Sequence, residues 1–247
     1  MSKQKRFVDL AGQAYRNNIF TFSDFCGDGE LADFYQEMAT VGDVHYELYG
    51  GHAEADRLVV RFGNKDELGY EVEWPISTLM ITPLNKKFSE TLTHRDFLGA
   101  LMNLGIERSM IGDILVGDGC ACVFVIDSMA EYICSELTRI KHTVVTASVS
   151  DELPPQFETK YKEMEIQIPS ERIDVVVARF AKLSRKDTAD YFHDRRIFVD
   201  GRVMENYSHV LKTGSKVSVR GVGKFIYDGV VRHTRSDNLI VSIRVFV

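Results

Sequence analysis

Between residues 169 and 220 the spacing of apolar positions changes from helical to alternating. Ser170 follows a proline and is the expected N-cap of a helix. Ile173, Val176, Val177 and Phe180 then recur at i, i+3, i+4 and i+7, which makes one buried helix face. Arg172 and Arg179 share a second, solvated face. Ser184 opens another helix, with Asp187 three residues on as an imperfect capping box. Ala189 and Phe192 form its apolar side. Beyond it Ile197 and Val199 alternate, Asp200-Gly201 signals a hairpin turn, and Val203 resumes on the far strand. The stretch from Lys212 to Gly214 is a second turn, before the alternation of Val217 and Val219.

The patterns upstream predict two more units. Residues 1–76 read as α+β, with helices over 7–20 and 29–38 and strands over 44–49, 58–62 and 70–74. Residues 77–150 read strand, helix, two strands, helix, strand. The first helix runs from Thr93, its cap, to Leu104, with Phe97, Leu98 and Leu101 on its apolar face. A turn is expected at Gly117-Asp118-Gly119, and the second helix over 128–140 is capped by Ser128. This βαββαβ order is the ferredoxin-like split, the topology of the RNA-recognition motif. The stacking aromatics of that motif are missing, since only Phe124 is aromatic on the central strands. The topology therefore permits RNA contact that the residues do not specify. Asp151 to Pro155 opens a linker over 151–160, and residues 161–247 form the third unit with a C-terminal strand extension. The expected fold class is α+β, in three small domains.

Composition adds a charge asymmetry. The 247 residues carry a net charge of −6. From Lys160 onward there are 17 Lys and Arg against 11 Asp and Glu, a net +6, so the preceding residues carry −12. Such a split points to a basic nucleic-acid module attached to acidic domains. No apolar run approaches the ~20 residues that span a bilayer, and the N-terminus shows no signal-peptide pattern. The expected location is the cytoplasm. Cys26, Cys120, Cys122 and Cys134 contain no CxxC pair and read as inert thiols of a reducing compartment.

Several strings imitate catalytic motifs. His94-Arg95-Asp96 looks like a kinase catalytic loop, but Leu101 stands where the asparagine is required. Asp96 in the first turn of a helix favours the helix dipole instead. His52, Glu54 and Asp56 alternate, yet no second His or Cys cluster completes a metal site. A solvated turn or helix start is the better reading of that stretch. Gly221-Val222-Gly223-Lys224 lacks the spacing of a phosphate-binding loop. Neither a cofactor nor a metal is expected, and the chain is read as a non-enzyme.

The two helices, the Asp-Gly turn and the small sheet resemble the S-four RNA-binding domain. The matching residues are Arg172-Ile173-Asp174, Ser184-Arg185 and Phe192 through Gly201. Arg195 stands where that pattern has glycine, and Asp200 where it has asparagine. Gly50 to Arg57 (GGHAEADR), His94 to Ile114 (HRDFLGALMNLGIERSMIGDI) and Arg220 to Phe225 extend the likeness over nearly the whole chain. Together they resemble the YlmH family, bacterial proteins with an N-terminal domain, a middle domain like the RNA-recognition motif and a C-terminal S-four domain. Departures are Asp56 in place of the usual Glu, a looser segment from Phe22 to Cys26, and Arg195.

The resemblance implies an RNA-binding protein of the translation apparatus, acting in quality control of stalled nascent chains. Its implied partners are large-subunit rRNA, tRNA, the large ribosomal subunit and an RqcH-type elongation partner, with the chain itself a monomer. Arg172, Arg179, Lys182, Arg185 and Lys186 are the expected phosphate contacts on the helices. Arg195, Arg196 and Arg202 are those on the hairpin, and Ser184 with its helix N-terminus adds backbone donors. Asp174 is expected to orient a nearby arginine. Two other readings stay open: an RNA-modifying enzyme like the pseudouridine synthases, and a division-linked interaction scaffold.

Overall fold

The computed structural model describes residues 5–85, 90–117, 119–235 and 237–246. Asp118, in the expected turn, lies outside the described residues. The chain is a mixed α+β protein that divides into two compact units, Met1–Glu158 and Thr159–Val247.

The first unit begins with α1 (Arg6–Asn17), β1 (Thr21–Phe22) and α2 (Asp28–Met38). Then come β2 (Tyr46–Tyr49), β3 (Val59–Phe62) and a short α3 (Lys65–Leu68). The strands pair in the order β1-β3-β2, all antiparallel. Phe7, Ala11 and Ala14 of α1 recur on one helix face and close over Phe34 and Phe62. The strand expected over 70–74 does not form. Its place is taken by the buried Arg61, which donates to the Val72 carbonyl at 2.9 Å and lies 4.7 Å from the centre of the Trp74 ring.

The same unit continues with β4 (Ile76–Pro83), α4 (His94–Asn103), β5 (Ile111–Val116) and β6 (Ala121–Ile126). It closes with α5 (Ala130–Glu136), β7 (Arg139–Ile140) and β8 (Thr143–Ser150). The sheet order β5-β6-β4-β8 is that of the ferredoxin-like split, with β7 added at the edge. Thr93 caps α4 in a box with Asp96. The second helix is shorter than the pattern predicts. Ser128 sits in a single 3-10 turn rather than at the cap. Arg139 and Ile140 leave the helix because Lys141, at φ 50°, turns them back to pair with Val144 and Thr143. Residues 151–160 are more than a connector, since Phe157 is buried beside Cys120 and Phe124.

The second unit has β9 (Tyr161–Ile168), α6 (Ile173–Ala181), α7 (Arg185–His193), β10 (Ile197–Val199) and β11 (Arg202–Val203). It ends with β12 (Lys216–Val219), β13 (Gly223–His233) and β14 (Leu239–Phe246). The sheet runs β11-β10-β12-β13-β14-β9, antiparallel throughout. Ile173, Val176 and Val177 bury their helix face against Val217, Phe225 and Ile243. Ser170 is not the cap of α6. Arg172 holds that place, and the orphan N–H groups of Ile173 and Asp174 donate to the carbonyls of His209 and Tyr207. A side-chain cap has nothing left to do there.

Candidate RNA-contact surface

The basic surface of the second unit is built around the junction of its two helices. Lys182, in left-handed conformation at φ 55°, ends α6, and Ser184 begins α7 two residues later. The Ser184 hydroxyl accepts from the Asp187 N–H at 3.1 Å and donates to the Asp187 carboxylate at 2.7 Å, the expected capping box. The first-turn N–H groups of Arg185 and Lys186 have no partner within the helix, which is the usual condition of an N-terminus. They form the positive end of the helix dipole.

Beside this junction lies a groove of about 950 Å³. Met164, Ile166, Ala178 and Leu183 give it apolar walls, and Arg179, Lys182 and Arg185 give it charge. All three cations are exposed, as is Lys186 in the same turn. Arg172 reaches the site indirectly: its guanidinium binds Asp174 at 2.9 and 3.1 Å, and Asp174 lines the groove. The Asp174 carboxylate raises the Arg172 pKa, so this arginine keeps its charge.

The hairpin arginines are placed differently. Arg195 has φ 54°, a left-handed position that favours glycine, and pairs with Glu205 at 2.9 Å. Arg196 lies 3.9 Å from the centre of the Tyr191 ring and donates to the Arg220 carbonyl at 3.0 Å. Arg202 is exposed on β11. None of the three lines the groove. The helix-borne cations are thus brought together, and the hairpin ones are not.

In the first unit the sequence signals lead to a seam rather than an open site. Asp113 of β5 accepts from the N–H groups of Asp56 and Arg57 at 2.7 and 3.2 Å, and its carboxylate lies 3.1 Å from His52 Nε2. His52 is packed rather than solvated, with its ring stacked 4.8 Å from Phe124. The Arg57 guanidinium donates to the carbonyls of Ile111, Phe25 and Arg108. Burial and the nearby Arg57 push Arg108 down to about 10. Burial and then Arg108 hold His94 below its usual range, opposed by Asp113. Gly51 has φ +94°, and a Cβ there would stand 2.2 Å from the Phe124 ring. The strings GGHAEADR and IERSMIGDI therefore fit each other, a role that neither string reveals alone.

The seam also decides the fate of the middle sheet. Phe124 is buried with Phe25, Val59 and Phe157, so the face that stacks bases in an RNA-recognition motif is occupied by this chain. Among the described residues no group of three or more His, Cys, Asp or Glu side chains is arranged to hold a metal. The four cysteines are free thiols. Burial pushes Cys122 up to about 12 and makes it a poor nucleophile. Among the described residues, no helix is long and apolar enough to cross a membrane.

Residues 71–152 match the family model described as "Putative RNA-binding domain in YlmH". Over that stretch the chain is similar to the YlmH proteins. One relative is the "Ribosome-associated protein quality control protein P2" of Bacillus subtilis (strain 168), 23% identical over 210 residues. That match covers 81% of this chain and 77% of the relative. A solved structure, "Cell division protein ylmH from Streptococcus pneumoniae", is similar at 23% identity with a TM-score of 0.46. It covers 61% of this chain and 93% of its own. The YlmH model ends at residue 152, short of the basic groove in the second unit.

Proposed function

We propose that this chain is a non-enzymatic, cytoplasmic RNA-binding protein of the large ribosomal subunit, contacting rRNA and tRNA during quality control of stalled nascent chains. An RqcH-type elongation factor is its expected partner. The observation that carries the reading is the convergence of Arg179, Lys182 and Arg185 on one groove beside the N-terminus of α7. Exposed cations next to unpaired helix N–H groups suit phosphate oxygens and make no demand on base identity. The similarity to the Bacillus subtilis quality-control protein supplies the ribosomal setting. The split of charge, +6 from Lys160 onward and −12 before it, favours RNA contact through the second unit.

The test is the double variant Arg185→Ala/Lys186→Ala. Binding of structured RNA should weaken alike for different sequences. The slope of log affinity against log salt should fall by about one to two units as phosphate contacts are lost. Both side chains are exposed, so stability should change by under about 0.5 kcal/mol. Wild-type protein should co-sediment with large subunits carrying peptidyl-tRNA, and the folded variant should not. Equal co-sedimentation of the two at physiological salt overturns the assignment.

A further inference from the structure

The outer face of the C-terminal sheet carries a second arrangement of aromatic and basic residues, separate from the helix groove. Alternation along the strands sends Ile197, Val217, Phe225 and Ile243 into the core. Phe198, Lys216, Ser218, Lys224, Arg244 and Phe246 have the opposite parity. The register places Phe198 opposite Ser218, Ser218 opposite Lys224, and Phe246 opposite Tyr161. With Phe225 opposite Val245, Lys224 lies beside Phe246. One row thus crosses five strands: Phe198 at one end is buried, Tyr161 and Phe246 at the other are partly exposed, and Lys224 lies between.

Cations stand over these rings. Lys216 Nζ is 5.4 Å from the centre of Phe246, and the guanidinium of Arg244 is 5.2 Å from that of Tyr161. Arg220 is 5.3 Å from the centre of Phe198. Tyr161 and Phe246 meet edge to face at 5.2 Å and are only half-buried. Two acids of the sheet are already neutralised, since Arg244 holds Asp228 and Arg232 holds Glu165. This is the composition of a single-strand platform, where rings take bases of any identity and cations follow the backbone. The row is about 19 Å long at ordinary strand spacing.

We propose that this face binds an unpaired RNA strand, with bases stacked on Tyr161 and Phe246 and phosphates held by Lys216, Lys224 and Arg220. The surface is distinct from the α6–α7 groove, which suits the backbone of folded RNA. The two can therefore fail separately.

The experiment uses the full chain and a uridine oligomer of about ten nucleotides, within the usual site sizes. Ultraviolet crosslinking followed by peptide mass spectrometry should place uridine on peptides containing Tyr161 or Phe246. The variant Tyr161→Leu/Phe246→Leu keeps apolar volume and removes the rings. It should bind the oligomer about tenfold more weakly, as expected for lost stacking, and should bind structured RNA as wild type does. Arg185→Ala/Lys186→Ala should show the reverse pattern. A second variant, Lys224→Gln, removes one charge outside the core and should flatten the salt slope for the oligomer by about 0.7. Crosslinks confined to α6 and α7, or oligomer binding unchanged in either folded variant, overturn the proposal. Structured-RNA binding unchanged in Arg185→Ala/Lys186→Ala counts against the groove alone.

Discussion

Arg57 and Arg108 in the first unit and Arg179 and Arg185 in the second are used in opposite ways. Arg57 spends its donors on the carbonyls of Ile111, Phe25 and Arg108, and Arg108 bonds back to Ile111 and Gly112. Both are partly buried, and Asp113 opposes the charge of Arg108. Arg179 and Arg185 stand exposed at a groove. A guanidinium committed to main-chain carbonyls acts as a structural bolt, whereas an exposed one at a helix junction can meet a phosphate. A basic residue inside a specific sequence string is therefore not by that fact a nucleic-acid contact.

The strongest way to break this contrast is to remove the carboxylate that holds the seam. Asp113→Ala leaves the N–H groups of Asp56 and Arg57, and the His52 ring, without their acceptor. Unsatisfied partners of this kind, two of the three part-buried, should cost about 3 kcal/mol. For a unit of this size the melting transition should fall by roughly 6–12 °C, read by calorimetry. RNA affinity measured well below the transition should be unchanged. If affinity falls with no change in melting, the seam is itself an RNA site and the division of labour is wrong.

How much of this was legible beforehand depends on whether the interaction is local. The Ser184–Asp187 box and the Thr93 cap are local, and both form as the pattern predicts; the closing of the second box by Asp96, read beforehand only as a first-turn acid, is an addition from the structure. The ferredoxin-like order follows from periodicity alone. Ser170 fails as a cap because the partners of α6 come from the loop at Tyr207 to His209, more than thirty residues downstream. The strand over 70–74 fails because Arg61 takes the hydrogen bond that a neighbouring strand would need. The seam between GGHAEADR and IERSMIGDI joins residues more than fifty positions apart. A glycine pair before a histidine was its only local sign. Of the nine basic-site residues, the helical cations converge because they share one short junction. Arg195 and Arg196 turn instead to Glu205 and Tyr191, partners that periodicity does not reveal.

Arg195 offers a smaller, sharper test of the same contrast. Its left-handed backbone costs roughly 1 kcal/mol for a residue with a Cβ. Arg195→Gly relieves that strain, gives up an exposed ion pair with Glu205 worth little, and adds freedom to the unfolded chain. The net change should be a gain of about 0.5 kcal/mol in denaturant unfolding. RNA affinity should hold within about twofold if this arginine belongs to the fold's accounts and not to the RNA. A loss of tenfold or more, with the gain in stability intact, places Arg195 among the contacts.

The smallest expected effect concerns acid. Asp96 closes the Thr93 capping box and binds Lys141 at 2.7 Å. Lys141 first, and then the Thr93 N–H and hydroxyl, hold the Asp96 carboxyl down to about 2. An unfolded aspartate protonates near pH 4. The folded pKa lies below the unfolded one, so the contribution of Asp96 is complete above about pH 4 and is lost as pH falls towards 2. Asp96→Asn keeps an oxygen acceptor for Thr93 and removes the charge that Lys141 answers. In the wild type, stability of the first unit should decline across this window. The variant should start lower at neutral pH and decline less, so that the two curves converge near pH 2. Parallel curves would mean that Asp96 is not the titrating group, and that HRD marks the start of α4 by its shape alone.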